Sequence, residues 1–193
     1  MLTAHPGETM QKRIAFLTLL IITLTVAAAA QQDKSKRPSP PAHAQCKFAD
    51  GKTINVDYSS PRVSDPKTHQ PRKIYGGLVP YGKVWRTGAN ESTTFVTDTD
   101  VTIGGKDVPA GSYTIFTVPN EDKWTLVISK KTGEWGTDYP GEDNDLARAD
   151  MTASKTSAPV ENFTIAFDQK GDSCTMHLDW ENTRASVDIT EKK

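Results

Sequence analysis

The chain is poor in the features that announce chemistry. It holds 2 cysteines, enough for one disulfide. Its 4 histidines, His5, His43, His69 and His177, show neither H-x-x-x-H nor H-x-H spacing. A zinc site would therefore need distant residues to converge, and metal catalysis is not expected. There is no G-x-S-x-G elbow and no glycine-rich phosphate loop. A Ser–His–Asp arrangement ignores chain order, yet nothing in the sequence recommends one. Charge of either sign is not in excess: the formal net charge is -1. A near-neutral surface carries no electrostatic footprint for nucleic acid or anionic membrane. Internal repeats and long amphipathic helices are also missing. The best helical stretch is short, Asp143 to Ala149.

The features that are present begin with a secretory pattern. Lys12 and Arg13 precede the apolar run Ile14–Val26, and Ala27–Ala30 offer an A-x-A cleavage site before Gln31. Residues 1–30 are read as a signal peptide. The run falls short of the ~20 residues of a spanning helix and ends in small side chains, which disfavours a retained anchor. No cysteine follows it directly, so no lipid anchor is expected. Pro6 and Glu8 are foreign to a signal, and the expected translation start is Met10. The mature protein is expected in the periplasm or outside the cell. An oxidising compartment favours a Cys46–Cys174 disulfide over two buried thiols.

Residues 31–44 are polar and proline-rich and read as a flexible leader. The folded domain is expected over residues 45–190, with 191–193 as a tail. Within it a period of two dominates. Ile54, Val56 and Tyr58 share one phase, as do Trp124, Leu126 and Ile128, Phe163, Ile165 and Phe167, and Ala185, Val187 and Ile189. Cys174, Met176, Leu178 and Trp180 form another set, with His177 on the outer phase. Turn signals stand at Ala49–Lys52, Gly104-Gly105, Pro109–Gly111, Pro119–Asp122, Lys170–Asp172 and Glu181–Thr183. Many short strands with frequent turns predict an all-β fold: a single antiparallel β-sandwich or jelly-roll-like domain with at most one short helix. Both cysteines fall on inward phases, so a bridge would bring the terminal strands within about 7 Å.

Four stretches go beyond generic β pattern: Asp57–Arg62, Pro80–Ser92 with its Trp-Arg-Thr-Gly-Ala-Asn-Glu core, Val108–Pro119, and Glu134–Tyr139 with the acidic loop after it. Together they resemble the bacterial family called domain of unknown function 2911, over residues 45–190. The resemblance implies an exported, all-β bacterial domain. It carries over no activity and no catalytic residue set.

Two loops hold the candidate functional residues, since rigid sheets present function on their loops. In the first, Trp85 and Arg86 stand near Asn90 and Glu91. Arg86 suits a carboxylate or phosphate, Asn90 a polar ligand, and Glu91 a general base if burial raised its pKa. The same loop also reads as purely structural, with Arg86 paired to Glu91 or an Asp, Asn90 capping a turn and Trp85 plugging the core. In the second loop, Trp135 and Tyr139 suit sugar stacking, and Asp138 and Asp143 suit hydroxyl recognition. Its acids leave calcium open, although the spacing matches no EF-hand; no cofactor is predicted. The leading expectation is a non-catalytic exported module that binds a small molecule, a glycan or a cell-envelope partner. A hydrolase or isomerase using a carboxylate with Arg86, and a structural or interaction module, are the alternatives. After signal cleavage no membrane association is expected.

Overall fold

The computed structural model describes residues 33–193. The expected signal peptide, its cleavage site and the start at Met10 lie outside the described residues. Residues 33–36 fall outside the β unit; there Asp33 accepts bonds from the Ser35 amide and hydroxyl around a single 3-10 turn, Lys34–Lys36. Residues 37–193 form the β unit.

Among the described residues nine strands form: β1 (Pro41–Lys47), β2 (Thr53–Ser59), β3 (Thr93–Thr97), β4 (Val101–Ile103), β5 (Lys106–Val108), β6 (Gly111–Val118), β7 (Lys123–Ser129), β8 (Asp145–Lys170) and β9 (Ser173–Glu191). Every pairing is antiparallel, and the order is β1-β2-β3-β6-β7-β8-β9-β4-β5. The fold is all-β, as the alternation predicts. The strands form one continuous sheet rather than two separately bonded ones, because β8 and β9, 26 and 19 residues long, pair with each other and also with β7 and β4 respectively. The sheet curls over on itself. Cys46 on β1 and Cys174 on β9 are bonded with their Cα atoms 6.5 Å apart, although β1 and β9 stand six places apart in the ladder. The disulfide thus joins two strands that are not paired in the ladder.

The inward phase of each strand supplies that core. Ile54, Val56, Phe95, Ile115, Trp124, Leu126, Ile128, Phe163, Met176, Leu178 and Trp180 are all at most 1% exposed. Removing each large apolar side chain from water stabilises the fold by roughly 1.5–3 kcal/mol.

Four expectations are corrected. Strand β1 starts at Pro41 and pairs with β2 from Pro41↔Ser59 onward, so the last part of the expected leader is sheet. Ala42 and Ala44 are small enough to sit on the core side there. The helical candidate Asp143 to Ala149 is instead the end of a 3-10 turn (Glu142–Asn144) followed by β8, whose Leu126↔Ala149 and Ile128↔Ala147 pairings outweigh local helix propensity. Glu181–Thr183 is not a chain reversal. It lies within β9, at a bulge where Glu181 takes a left-handed φ of 55°. His177, expected on an exposed face, is buried with its Nε2 2.6 Å from Asp168 Oδ2.

The bulge recruits the chain after β2 to the sheet. Between the pairs Lys155↔Thr183 and Val160↔Glu181, and again before Thr164↔Asp179, β8 advances further than β9. The backbone of β8 freed there bonds to that chain: Val63 N–H donates to Glu161 O and Phe163 N–H to Pro61 O, both at 2.8 Å. An isolated bridge Arg62↔Asn162 completes the contact. Arg62 is thereby fixed on the same hollow as Trp180. No helix among the described residues is long and apolar enough to cross a membrane.

Candidate functional site

Trp85 is held by a two-way backbone bridge to Thr117 at the end of β6 (2.7 and 2.9 Å). Its ring stacks on Trp180, with centroids 5.8 Å apart and planes 18° from parallel, and meets Phe163 edge-on at 5.0 Å. The chain then turns sharply. Thr87 is fully buried with a φ of 55°, a conformation that a β-branched residue adopts only at a cost. Hydrogen bonds hold it there: its hydroxyl meets Thr117 Oγ1 at 3.1 Å, and the Thr93 hydroxyl donates to its carbonyl at 2.8 Å. Gly88 comes next because a Cβ at that position would stand 3.0 Å from the Ser59 carbonyl oxygen. The strained turn aims Arg86 away from the core.

The second loop lies alongside the first. Gly136 N–H donates to Asn90 O at 3.1 Å, the Ser92 hydroxyl donates to Glu134 O at 2.9 Å, and Glu91 and Trp135 form a backbone bridge. The two stretches singled out in the sequence are therefore neighbours in space. Between them and the chain after β2 lies a cleft of about 300 Å³. Trp85, Arg86 and Asn90 line it from the first loop, and Thr137 alone from the second. Trp180, Leu78, Arg62 and Arg72 complete its working surface, with Pro38 and Ser39 at the rim.

Several sequence candidates lie elsewhere. Glu91 is outside the lining, where Arg37 Nη1 reaches both its oxygens at 2.9 and 3.0 Å. The expected Arg86–Glu91 or Arg86–Asp pair does not form; the Arg86 Nε–H donates only a long 3.4 Å bond to Gly88 O. Asn90 has a φ of 56°, and its amide donates to Ser39 O at 3.0 Å, tying the chain before β1 to the cleft wall. Trp135 is 58% exposed, and Asp138 is exposed as well. Neither lines the cleft. Tyr139 packs on Phe116 and belongs to a separate polar cluster with its hydroxyl 2.8 Å from both Asp145 oxygens and 2.9 Å from Arg148 Nη2. Burial, then the Asp145 carboxylate, push its phenol above the ordinary value. Among the described residues no three His, Cys, Asp or Glu side chains converge as a metal ligand set.

Arg62, Arg72, Leu78 and Trp180 are not among the site candidates that the sequence offers. Arg62 closes the family-like stretch Asp57–Arg62, and Trp180 carries the signal of a core position. The Arg72 guanidinium is oriented by two backbone carbonyls, those of Val63 (3.3 Å) and Arg62. None of the residues lining the cleft is Asp, Glu, His or Cys. Burial pulls the Arg86 guanidinium below its ordinary range, with no carboxylate opposing the shift. It stays charged at neutral pH all the same. A second hollow, about 450 Å³, lies under the bulge of β8. Its single arginine, Arg184, already forms a two-pronged pair with Asp179 at 2.8 and 2.6 Å, so its charge is satisfied internally.

The fold and cleft define a class: a disulfide-closed antiparallel β protein with an arginine- and tryptophan-lined cleft beside one strained turn. Within that class the chain belongs to the family described as Protein of unknown function (DUF2911), whose model matches residues 39–189. No curated protein and no solved structure matches it.

Proposed function

We propose that this protein is an exported, non-catalytic binding module that takes a small molecule into the cleft between Arg62, Arg86, Trp85 and Trp180. The observation that carries the reading is the composition of the cleft: aromatic floor, hydrogen-bond donors, and no carboxylate, imidazole or thiol in the lining. A binding site needs shape, apolar surface and a few convergent polar groups, and about 300 Å³ suits a small organic ligand. A hydrolase or isomerase would need a proton acceptor within reach of the substrate. The carboxylate suggested for that role, Glu91, is neutralised by Arg37 outside the lining. Export is supported by the signal-like N-terminus and by the Cys46–Cys174 disulfide, which suits an oxidising compartment.

A thermal-shift screen over sugars, organic acids and organic phosphates tests the reading, because a ligand of the folded state raises the unfolding temperature. At least one compound should stabilise the wild type and lose its effect in Leu78→Trp, which fills the mouth of the cleft from an exposed position. Stabilisation that survives this substitution would place the site elsewhere. A protein that responds to no compound would instead fit an interaction module, with β1 and β5 as the two ends of its sheet.

A further inference from the structure

The described residues include six arginines, and they divide cleanly. Arg37 is paired with Glu91, Arg148 with Asp145 and Glu142, and Arg184 with Asp179. The other three, Arg62, Arg72 and Arg86, form no ion pair among the described residues, and all three line the same cleft. One carboxylate that feels one of them, Arg72, is Asp65. It is held below its ordinary pKa first by the Thr68 and Lys67 amides and less by Arg72, and it lies outside the lining. Three cations converge on a concave surface that contains no anion. Arg86 is half-buried and has lost water without gaining a counter-charge, an arrangement unfavourable unless something negative arrives.

We infer that the cleft selects small organic anions, one carboxylate or phosphate group held by Arg86 with Arg62 and Arg72, and an apolar or aromatic body against Trp85 and Leu78. The inference rests on the cleft being a binding site and names what it binds. The planar fork of a guanidinium matches two oxygens of a carboxylate or phosphate. The Arg72 guanidinium uses Nε and Nη2 on backbone carbonyls, which leaves Nη1 for a ligand. Trp85, backed by the buried Trp180, and the exposed Leu78 supply the apolar surface for the rest of the molecule, and Asn90 and Thr137 stand at its polar edge.

Tryptophan fluorescence and calorimetric titration with three probes test this: phenylacetate, phenyl phosphate, and phenylacetamide as the neutral isostere. Phenylacetate or phenyl phosphate should bind saturably, and phenylacetamide about tenfold or more weakly, the size of one lost charge-assisted hydrogen bond. Affinity for the anion should fall as salt is raised. Arg86→Gln should weaken the anion by about tenfold or more and leave phenylacetamide unaffected. Arg62→Gln, at an exposed position that tolerates substitution, carries the same test if Arg86→Gln fails to fold. Equal binding of anion and amide would overturn the anion inference and leave the cleft reading standing. Anion binding that neither arginine variant alters would also overturn it. If no probe binds, and no compound of the wider screen does, the cleft reading itself falls and this inference with it.

Discussion

Reducing the Cys46–Cys174 bridge should remove a large part of the protein's stability without removing any packed atom. The two half-cystines are separated by 128 residues, nearly the whole β unit, and both are 1% exposed. A crosslink of that span restricts the unfolded chain far more than the folded one. In the chain-entropy model a loop of this length is worth about 5 kcal/mol. A domain of this size has a total stability of about 5–15 kcal/mol, so the reduced protein should sit near the edge of folding. Reduction is the cleaner perturbation than Cys→Ala, because the thiols still fill the space between β1 and β9 and no cavity opens. The assay is urea unfolding of oxidised and reduced protein side by side, monitored by tryptophan fluorescence. The midpoint should fall sharply on reduction. The denaturant slope should rise, since an uncrosslinked unfolded chain exposes more surface. Coincident curves with equal slopes would refute the reasoning, and so would labelling of both thiols in unfolded, unreduced protein.

Two further perturbations probe the core and the cleft separately. The Tyr75 hydroxyl is buried against Trp124 and Trp180 with no hydrogen-bond partner among the described residues, so Tyr75→Phe should raise stability by about 1 kcal/mol; a loss of that size would show that the hydroxyl has a partner. Burial first, and Glu181 second, push that phenol far above its ordinary value, so the folded state keeps a proton that the unfolded chain gives up near pH 10. Wild-type stability should therefore be full below that pH and decline above it, and Tyr75→Phe should flatten the decline in pH-dependent urea unfolding. Glu91→Gln should cost about 1 kcal/mol in thermal unfolding, since the Arg37 pair is only partly shielded, and should leave phenyl phosphate affinity unchanged because Glu91 is outside the cleft. Loss of ligand binding in that variant would return Glu91 to the site.

The core was legible because strands report their burial with a period of two, and the sets through Ile54, Trp124, Phe163, Cys174 and Ala185 all point inward as the alternation predicts. The disulfide was legible from an even cysteine count behind a secretory pattern, and the inward phases of both cysteines fit it. Glu181–Thr183 misled because a bulge and a tight turn draw on the same residue types, and only the partner strand distinguishes them. Asp143–Ala149 misled because pairing with β7 is a long-range term that local propensity does not contain. Half of the cleft was visible: Trp85, Arg86 and Asn90 sit close together in the chain and break its strand period. The other half comes from Arg62, Arg72 and Trp180, distant in sequence; the bulge of β8 brings in the chain that carries Arg62, and Arg72 bonds to that chain at Val63 and Arg62. Trp135 and Tyr139 were drawn in by residue type. One proves exposed and the other is committed to Asp145 and Arg148.

A crystal structure of the protein grown with phenyl phosphate would decide whether the cleft is an anion site. The phosphate should lie within hydrogen-bond distance of the Arg86 guanidinium, with the phenyl ring against Trp85 and Leu78. A cleft that stays empty while the compound binds elsewhere, or an Arg86 turned onto a carboxylate of its own chain, would contradict that assignment.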